Sequence, residues 1–476
     1  MRQLAEQADV GAAARLIVTA PFDGAVIAEL GCTDRAQLES WLASAYALFR
    51  NRSSWIPLAE RIGILERAAR ILLREKTRLA LTAAHEGGKP LLDSQFEVER
   101  AIDGVKLAVE VLRTEAGEVI PMRATAASAH RVAFTQREPV GVVAAISAFN
   151  HPLNLIVHQV ISAVAAGCPV LVKPSHETPL SCLNLVAILT EAGLPKQWCR
   201  VLVTEDLALA EALVTDDRIG FLSFIGSARV GWSLRSKLAP GVRCALEHGG
   251  AAPVIVAEDA DWDLALPNLT KGAFYHAGQV CVSVQRIFVP RRRAQEFADQ
   301  LATRASVLRL GDPRSAATEV GPLIRPDEGR RVGDWVSEAV DGGAVLVTGG
   351  KRIGRSAYRP TVLLDPAADA TISQHEIFGP VACVYGYDSL EDAVARANSL
   401  PFAFQASVFT QDIDRAMHAF RDLDASAVML NDDTAFRVDG MPFAGLRQSG
   451  LGTGGMRYSI QEMSVDKMLV IYSRSL

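Results

Sequence analysis

Long apolar runs, paired cysteines and an excess of either charge are all missing from this sequence of 476 residues. The longest apolar stretches, such as Val140 to Phe149, run to about ten residues, half of the ~20 that a membrane-spanning helix needs. The start, Met1 to Gln7, is polar and charged with no apolar signal core behind it, which points away from secretion. The seven cysteines (Cys32, Cys168, Cys182, Cys199, Cys244, Cys281 and Cys383) are scattered and odd in number, with no CxxC pair. That pattern excludes a disulfide framework, argues against a zinc site and fits a reducing cytoplasm. Lys and Arg total 49 against 54 Asp and Glu, a net charge of −5, so there is no electrostatic footprint for nucleic acid. With 49% hydrophobic and 22% charged residues, fibrous and disordered classes are excluded too. The expectation is a soluble cytoplasmic protein of enzyme size, with neither nucleic acid nor membrane as partner. At ~100–200 residues per domain it holds two to four domains.

Residues 36–115 read as mostly helical, with Ile64, Ala68, Ile71 and Leu72 at helical spacing. Val132 to Phe134 reads as a strand. From Val140 to Ile146 the run is unbroken and apolar, as in a strand buried on both faces. Helices over Leu153–Ala166, Leu180–Ala192 and Leu207–Val214 then alternate with strands at Val170–Val172, Arg200–Val203 and Phe221–Phe224. This alternation predicts a parallel sheet with helices on both faces, binding ligands at the carboxyl ends of its strands. Residues 250–445 repeat it more loosely, with strands at Pro253–Val256 and Arg286–Val289. The terminal strand Met468–Tyr472 has no local partner, so it pairs with something distant or with another subunit.

Three residues stand out by context. Cys281 lies in a small-residue stretch before a strand, Glu247 ends a strand before Gly249-Gly250, and Asn150 follows the first buried strand. Taken singly, each has a plainer reading: a buried thiol, a solvated turn carboxylate and a helix cap.

Taken together with their neighbours, they carry a resemblance. Glu138-Pro-Val-Gly-Val-Val-Ala-Ala-Ile-Ser-Ala-Phe-Asn-His-Pro-Leu153 resembles a signature of the NAD(P)-dependent aldehyde dehydrogenase superfamily. So do Val172-Lys-Pro-Ser175, Phe224-Ile-Gly-Ser227, Glu247-His-Gly-Gly250, Gly278-Gln-Val-Cys281, Glu376-Ile-Phe-Gly-Pro380 and Pro442-Phe-Ala-Gly445 followed by Ser449-Gly450. The motifs stand in the family's order, and the separation of 34 residues from Glu247 to Cys281 is the family's usual one. The resemblance implies that Cys281 is the nucleophile, forming a thiohemiacetal and then a thioester. Asn150 and the Cys281 N–H would hold the oxyanion, and Glu247 would activate the hydrolytic water. It implies NAD or NADP as cofactor. Lys173, Ser175 and His176 would lie near the adenosine ribose, and Gly226, Ser227 and Gly231 would form the helix start at the pyrophosphate. Glu376 and Phe378 would lie at the nicotinamide ribose and ring. Glu247 speaks against a coenzyme A-acylating relative, and the intact trio speaks against a catalytically silent nucleotide-binding homologue.

Several positions depart from the family pattern, among them Phe149, Ile225, His248, Ala444 and Arg447. His176 stands where many NAD-preferring members carry Glu, so the chain is expected to accept NADP, with Glu177 a complicating neighbour. Arg100, His151 and Arg437 are the candidate substrate-binding residues for a small anionic or hydroxylated aldehyde. The plain alternative pairs Arg100 with Glu97 or Glu99, leaves Arg437 solvated and makes the substrate a neutral or aromatic aldehyde. The run from Phe149 to Asn154 and the last third of the chain most resemble the lactaldehyde and phosphonoacetaldehyde dehydrogenase branch.

The expected fold class is α/β: a Rossmann-like cofactor domain (1–118 and 138–247), an α/β catalytic domain (248–445) and a small β oligomerisation element (119–137 and 446–476). The expected assembly is a homodimer or tetramer, with no metal.

Overall fold

A computed structural model describes residues 14–476; the polar start from Met1 to Gln7 lies outside the described residues. The apolar run at Val142–Ile146 is the centre of a six-stranded sheet. Its order is Gly450–Leu451, Arg243–Glu247, Ile219–Ile225, Val142–Ile146, Val170–Lys173, Cys199–Val201. The last five are parallel, and Gly450–Leu451 returns antiparallel to Arg243–Glu247. The first parallel strand in the chain lies at the centre, and later ones add outward on one side and then the other. This is the doubly wound order of a Rossmann-type sheet, whose ligand crevice opens where the order reverses. Here that point lies between the directly paired strands Val142–Ile146 and Ile219–Ile225.

Boundaries differ from the periodicity where backbones crowd or leave the sheet. The central strand starts at Val142, because a Cβ on Gly141 would stand 2.9 Å from the Gly220 Cα. The strand expected over Arg200–Val203 is Cys199–Val201. Val203 turns away and exchanges hydrogen bonds of 2.8 and 3.1 Å with Thr33. The helical N-terminal region forms Arg35–Arg50, Leu58–Arg74, Lys76–Gly87 and Leu91–Thr114. Ile64, Ala68 and Leu72 turn inward and join Val98, Val105, Val143 and Val172 in one core. The helix after the central strand carries a π-helical stretch, Val157–Ile161, and ends at Gly167 (φ 86°). A two-stranded sheet, Arg15–Thr19 with Val26–Gly31, was not anticipated from the sequence.

The second sheet has seven strands: Val345–Thr348, Thr361–Leu364, Val381–Tyr387, Val284–Pro290, Ala252–Val256, Gln405–Phe409 and Ala427–Leu430. All are parallel except Val345–Thr348. Arg243–Glu247 ends at the carboxyl edge of the first sheet, and Ala252–Val256 begins the second after four linking residues. The carboxyl edge of one sheet therefore faces the amino edge of the other.

The terminal strand finds its partner within the chain. Ser464–Tyr472 pairs antiparallel with Arg131–Pro139 over nine residues, and Val119–Ile120 completes a three-stranded arm. Helix Met456–Glu462 packs Met456 and Ile460 into the first core. Of the segment 446–476 assigned to this element from the sequence, only the strand and its tail belong to the arm. Among the described residues no helix is long and apolar enough to cross a membrane.

Candidate active site

Between the facing sheet edges lies a cleft of about 1550 Å³. Asn150 and Cys281 reach it on two loops, Glu247 reaches it at the end of the strand Arg243–Glu247, and Glu376, Phe378 and Arg437 reach it on other loops. Lys173, Ser175, His176, Gly226, Ser227, Arg100 and His151 line it as well.

Cys281 sits between the buried Val280 and Val282. Upstream, His276, Ala277 and Gly278 all take positive φ (47°, 54° and 69°), a costly conformation for the first two. Only glycine fits at 278, where a Cβ would stand 2.1 Å from the Gly379 carbonyl oxygen. Gln279 holds the turn: its Oε1 accepts from the Ile324 N–H at 3.0 Å, and its own carbonyl accepts from Asn150 Nδ2 at 2.9 Å. A carboxamide nitrogen has two hydrogens, so one N–H of Asn150 fixes the loop and the other remains. Burial pushes the Cys281 thiol up to about 12, and Glu376 and Glu247 add to the shift. A thiol so placed holds its proton at neutral pH. Burial also raises the Glu247 carboxyl, with Arg437 and His158 opposing. Glu247 packs where glycine leaves room, since a Cβ on Gly454 would stand 2.3 Å from its Oε1.

At the carboxyl edge of the first sheet, Ser227 directly precedes the helix Ala228–Arg235, with no capping hydrogen bond from its side chain, and the Gly226 carbonyl accepts from His248 Nδ1 at 2.9 Å. Gly231 does not line the cleft, contrary to its sequence assignment. It clears space for the His248 ring, whose Cε1 would lie 2.0 Å from a Cβ there. Lys173 donates to the Pro174 carbonyl at 3.1 Å. Glu177 is shared by Ser175, His176 (3.3 Å) and Arg325 (3.0 Å). Glu376 is raised to about 8 by burial, and its Oε1 has no hydrogen-bond partner. A Cβ on Gly249 would stand 1.7 Å from that oxygen. Phe378 (φ 46°) meets Phe149 edge to face at 5.8 Å.

The substrate-side residues converge, but in changed roles. Arg100 pairs with neither Glu97 nor Glu99. Its Nε and Nη2 grip both oxygens of Asp439 at 3.0 and 2.8 Å. Glu97 instead pairs with the buried Lys89 and accepts the Leu153 and Asn154 N–H groups, both at 2.9 Å. Glu99 pairs with Lys76 on the surface. Asp439 also accepts from His158 Nε2 at 2.7 Å and Asn154 Nδ2 at 3.1 Å. Burial alone would raise this carboxyl, but His158 and Arg100 hold it well below the usual range. His151 bonds the Tyr275 hydroxyl at 3.1 Å, and burial keeps its imidazole neutral. Arg437 is not a solvated surface group. Its guanidinium stacks 3.7 Å from the Phe443 ring centre, Nη1 is buried without a partner, and it forms no ion pair among the described residues. His158, Asp439, Tyr275 and Arg325 were not singled out from the sequence. Their only sequence signal is a polar residue in an apolar stretch, clearest for His158 among Leu155, Ile156, Val157 and Val160.

Residues 10–469 match the family model described as Aldehyde dehydrogenase family. A 3-sulfolactaldehyde dehydrogenase from Priestia aryabhattai is 37% identical over 445 residues, 93% of this chain and 92% of the relative. A lactaldehyde dehydrogenase from Methanocaldococcus jannaschii is 34% identical over 455 residues, 95% of this chain and 96% of that one. A solved structure of a glyceraldehyde-3-phosphate dehydrogenase from the same organism, complexed with NADP, matches with a TM-score of 0.91 at 34% identity, covering 96% of this chain and 99% of that one.

Proposed function

Since the chain belongs to the aldehyde dehydrogenase family, we propose that it oxidises a small anionic or hydroxylated aldehyde to its carboxylic acid with NAD or NADP. The observation that carries this reading is the convergence of Cys281, Glu247 and Asn150 on one cleft beside the unpaired guanidinium of Arg437. The names of the relatives agree in kind, since all three substrates are short hydroxyaldehydes and two carry an anionic tail.

The residues present fit a dinucleotide. The cleft has the volume, Gly226 and Ser227 open a helix, and Glu376 presents an unpartnered buried oxygen above the space at Gly249. Lys173, Ser175 and His176 would hold the adenosine end, and Glu376 and Phe378 the nicotinamide end. When bound, the cofactor supplies the hydride acceptor.

Glu247 takes the proton of the Cys281 thiol, which burial keeps on sulfur at neutral pH. The thiolate adds to the aldehyde carbon. The oxyanion is held by the spare N–H of Asn150 and by the Cys281 N–H, for which no carbonyl acceptor is present among the described residues. Loss of hydride from the thiohemiacetal leaves a thioester on Cys281. Glu247, once it has passed the thiol proton on to solvent, draws a proton from water, which attacks the thioester, releases the acid and returns the sulfur as the leaving thiolate. His151 and Tyr275 offer hydrogen bonds to a substrate hydroxyl, and Arg437 takes the anionic tail.

The three-stranded arm, with Met468, Val470 and Tyr472 exposed, serves as the contact surface of a homodimer or dimer-based tetramer. The protein works in the cytoplasm. The domain division is 1–118 with 138–247 for the cofactor, 248–445 for catalysis, and 119–137 with the terminal strand Ser464–Tyr472 for assembly. The test is the appearance of reduced nicotinamide across neutral, hydroxylated, carboxylated, sulfonated and phosphorylated aldehydes, each with NAD and NADP. Turnover that vanishes in Cys281→Ala and favours anionic aldehydes supports the reading. Preference for neutral or aromatic aldehydes removes the anionic assignment.

A further inference from the structure

The cations around the substrate end of the cleft are not equal. Arg100 reaches the wall with its charge already matched, because Asp439 accepts two of its N–H groups and is itself fully buried. His158 donates to the same carboxylate, so Asp439 is saturated by donors and holds the Arg100 charge. His151 is kept neutral by burial. At the rim, the exposed Lys271 lies between Asp93 and Asp433. Arg437 remains, flat against Phe443, with a buried N–H pointing at no acceptor. Its neighbours in charge are Arg100, Glu247, Asp439 and Cys281, so whatever anion it binds lies close to the general base.

From this charge count we infer that the site selects a monoanionic tail, a sulfonate or carboxylate, over a dianionic phosphoryl tail of similar length. One cation is offered, and it matches one negative charge. A second negative charge would find no counter-ion, because Arg100 is held by Asp439. It would also stand near Glu247 and favour the protonated form of that carboxyl, which is useless as a base. The inference rests on the proposed role of Arg437 as the tail-binding residue. It separates this chain from its relatives by chemistry rather than by identity, since a sulfonated and a phosphorylated substrate are both named among them.

The experiment compares kcat/KM for 3-sulfolactaldehyde, glyceraldehyde 3-phosphate and uncharged lactaldehyde on the wild-type enzyme, with Asp439→Asn and Arg437→Met beside it. At pH 8 the sulfonate is expected to exceed the phosphate by about tenfold or more. The ratio should narrow as pH falls towards about 6, where the phosphate becomes a monoanion. Asp439→Asn frees the Arg100 charge and is expected to shift the ratio towards the phosphate by about tenfold. Should that variant fail to fold, the wild-type pH dependence of the ratio still decides. Arg437→Met should lower both anionic substrates by more than it lowers lactaldehyde, which shares only the effect of Arg437 on Glu247. A phosphate preferred at pH 8, or a ratio indifferent to pH, overturns the inference while leaving aldehyde oxidation intact. No turnover of any aldehyde, by contrast, removes the underlying functional reading.

Discussion

The two walls of the cleft are held by different physics. The wall that carries Cys281 is fixed by backbone and carboxamide groups: Gln279, Asn150 and three successive residues of positive φ. Among the described residues no ion pair takes part there, so the Cys281 loop is held in place by neutral groups. The opposite wall is built of buried ions. Arg100, Asp439 and His158 form one cluster, and Lys89 with Glu97 forms another, with Glu97 also holding the start of the segment after Asn150. Neutral hydrogen bonds fix position with little dependence on conditions, whereas buried charges tune the field and leave one partner exposed to penalty if the other is lost. The residues that fix the Cys281 loop and those that form the buried ion clusters are thereby separate sets.

That separation is open to tests of decreasing size. Cys281→Ala is expected to lower turnover by about 10⁴-fold or more, read as reduced nicotinamide, while the denaturation midpoint hardly moves. Asp439→Ala should do the reverse to the other wall. It strands Arg100 and His158 and should cost about 3–5 kcal/mol of stability in chemical denaturation, as expected for breaking a buried pair; an unchanged midpoint would show that this wall is not held by charge. Asn150→Ala is expected to lower kcat by about 10²–10³-fold, and a loss confined to KM would remove it from the oxyanion site. The smallest effect concerns pH. Glu376 is raised by burial from its ordinary 4.5 to about 8 in the fold. The folded state therefore holds a proton that the unfolded chain has lost, and stability declines as pH rises from about 4.5 through 8. Glu376→Gln should flatten part of that decline in the cofactor-free enzyme, measured by thermal unfolding at several pH values.

The sequence made the nucleophile wall readable because its parts lie in short contiguous motifs: Cys281 with Gln279, Glu247 with Gly249, and Asn150 with its strand. The parallel sheet was readable too, since strands buried on both faces leave continuous apolar runs. The ionic wall was not. Asp439 lies 339 residues from Arg100 and 281 from His158, and no local pattern couples side chains across such distances. Arg100 was noticed, but its near neighbours Glu97 and Glu99 offered a false pairing at the same helical surface. Gly231 misled for a related reason: glycine in a helix start reads as room for a ligand, and here the room is taken by His248. The π-helical stretch that carries His158 gives no signal in hydrophobic spacing.

One feature of the chain path bears on motion. Only two strand-linked crossings join the sheets among the described residues: the link from Glu247 to Ala252, and the return of the chain to Gly450. The two are tied together, because Gly450 pairs directly with Glu247 in the first sheet. An opening of the cleft that moved one sheet against the other would turn about this point, leaving Glu247, the proposed general base, at the fulcrum.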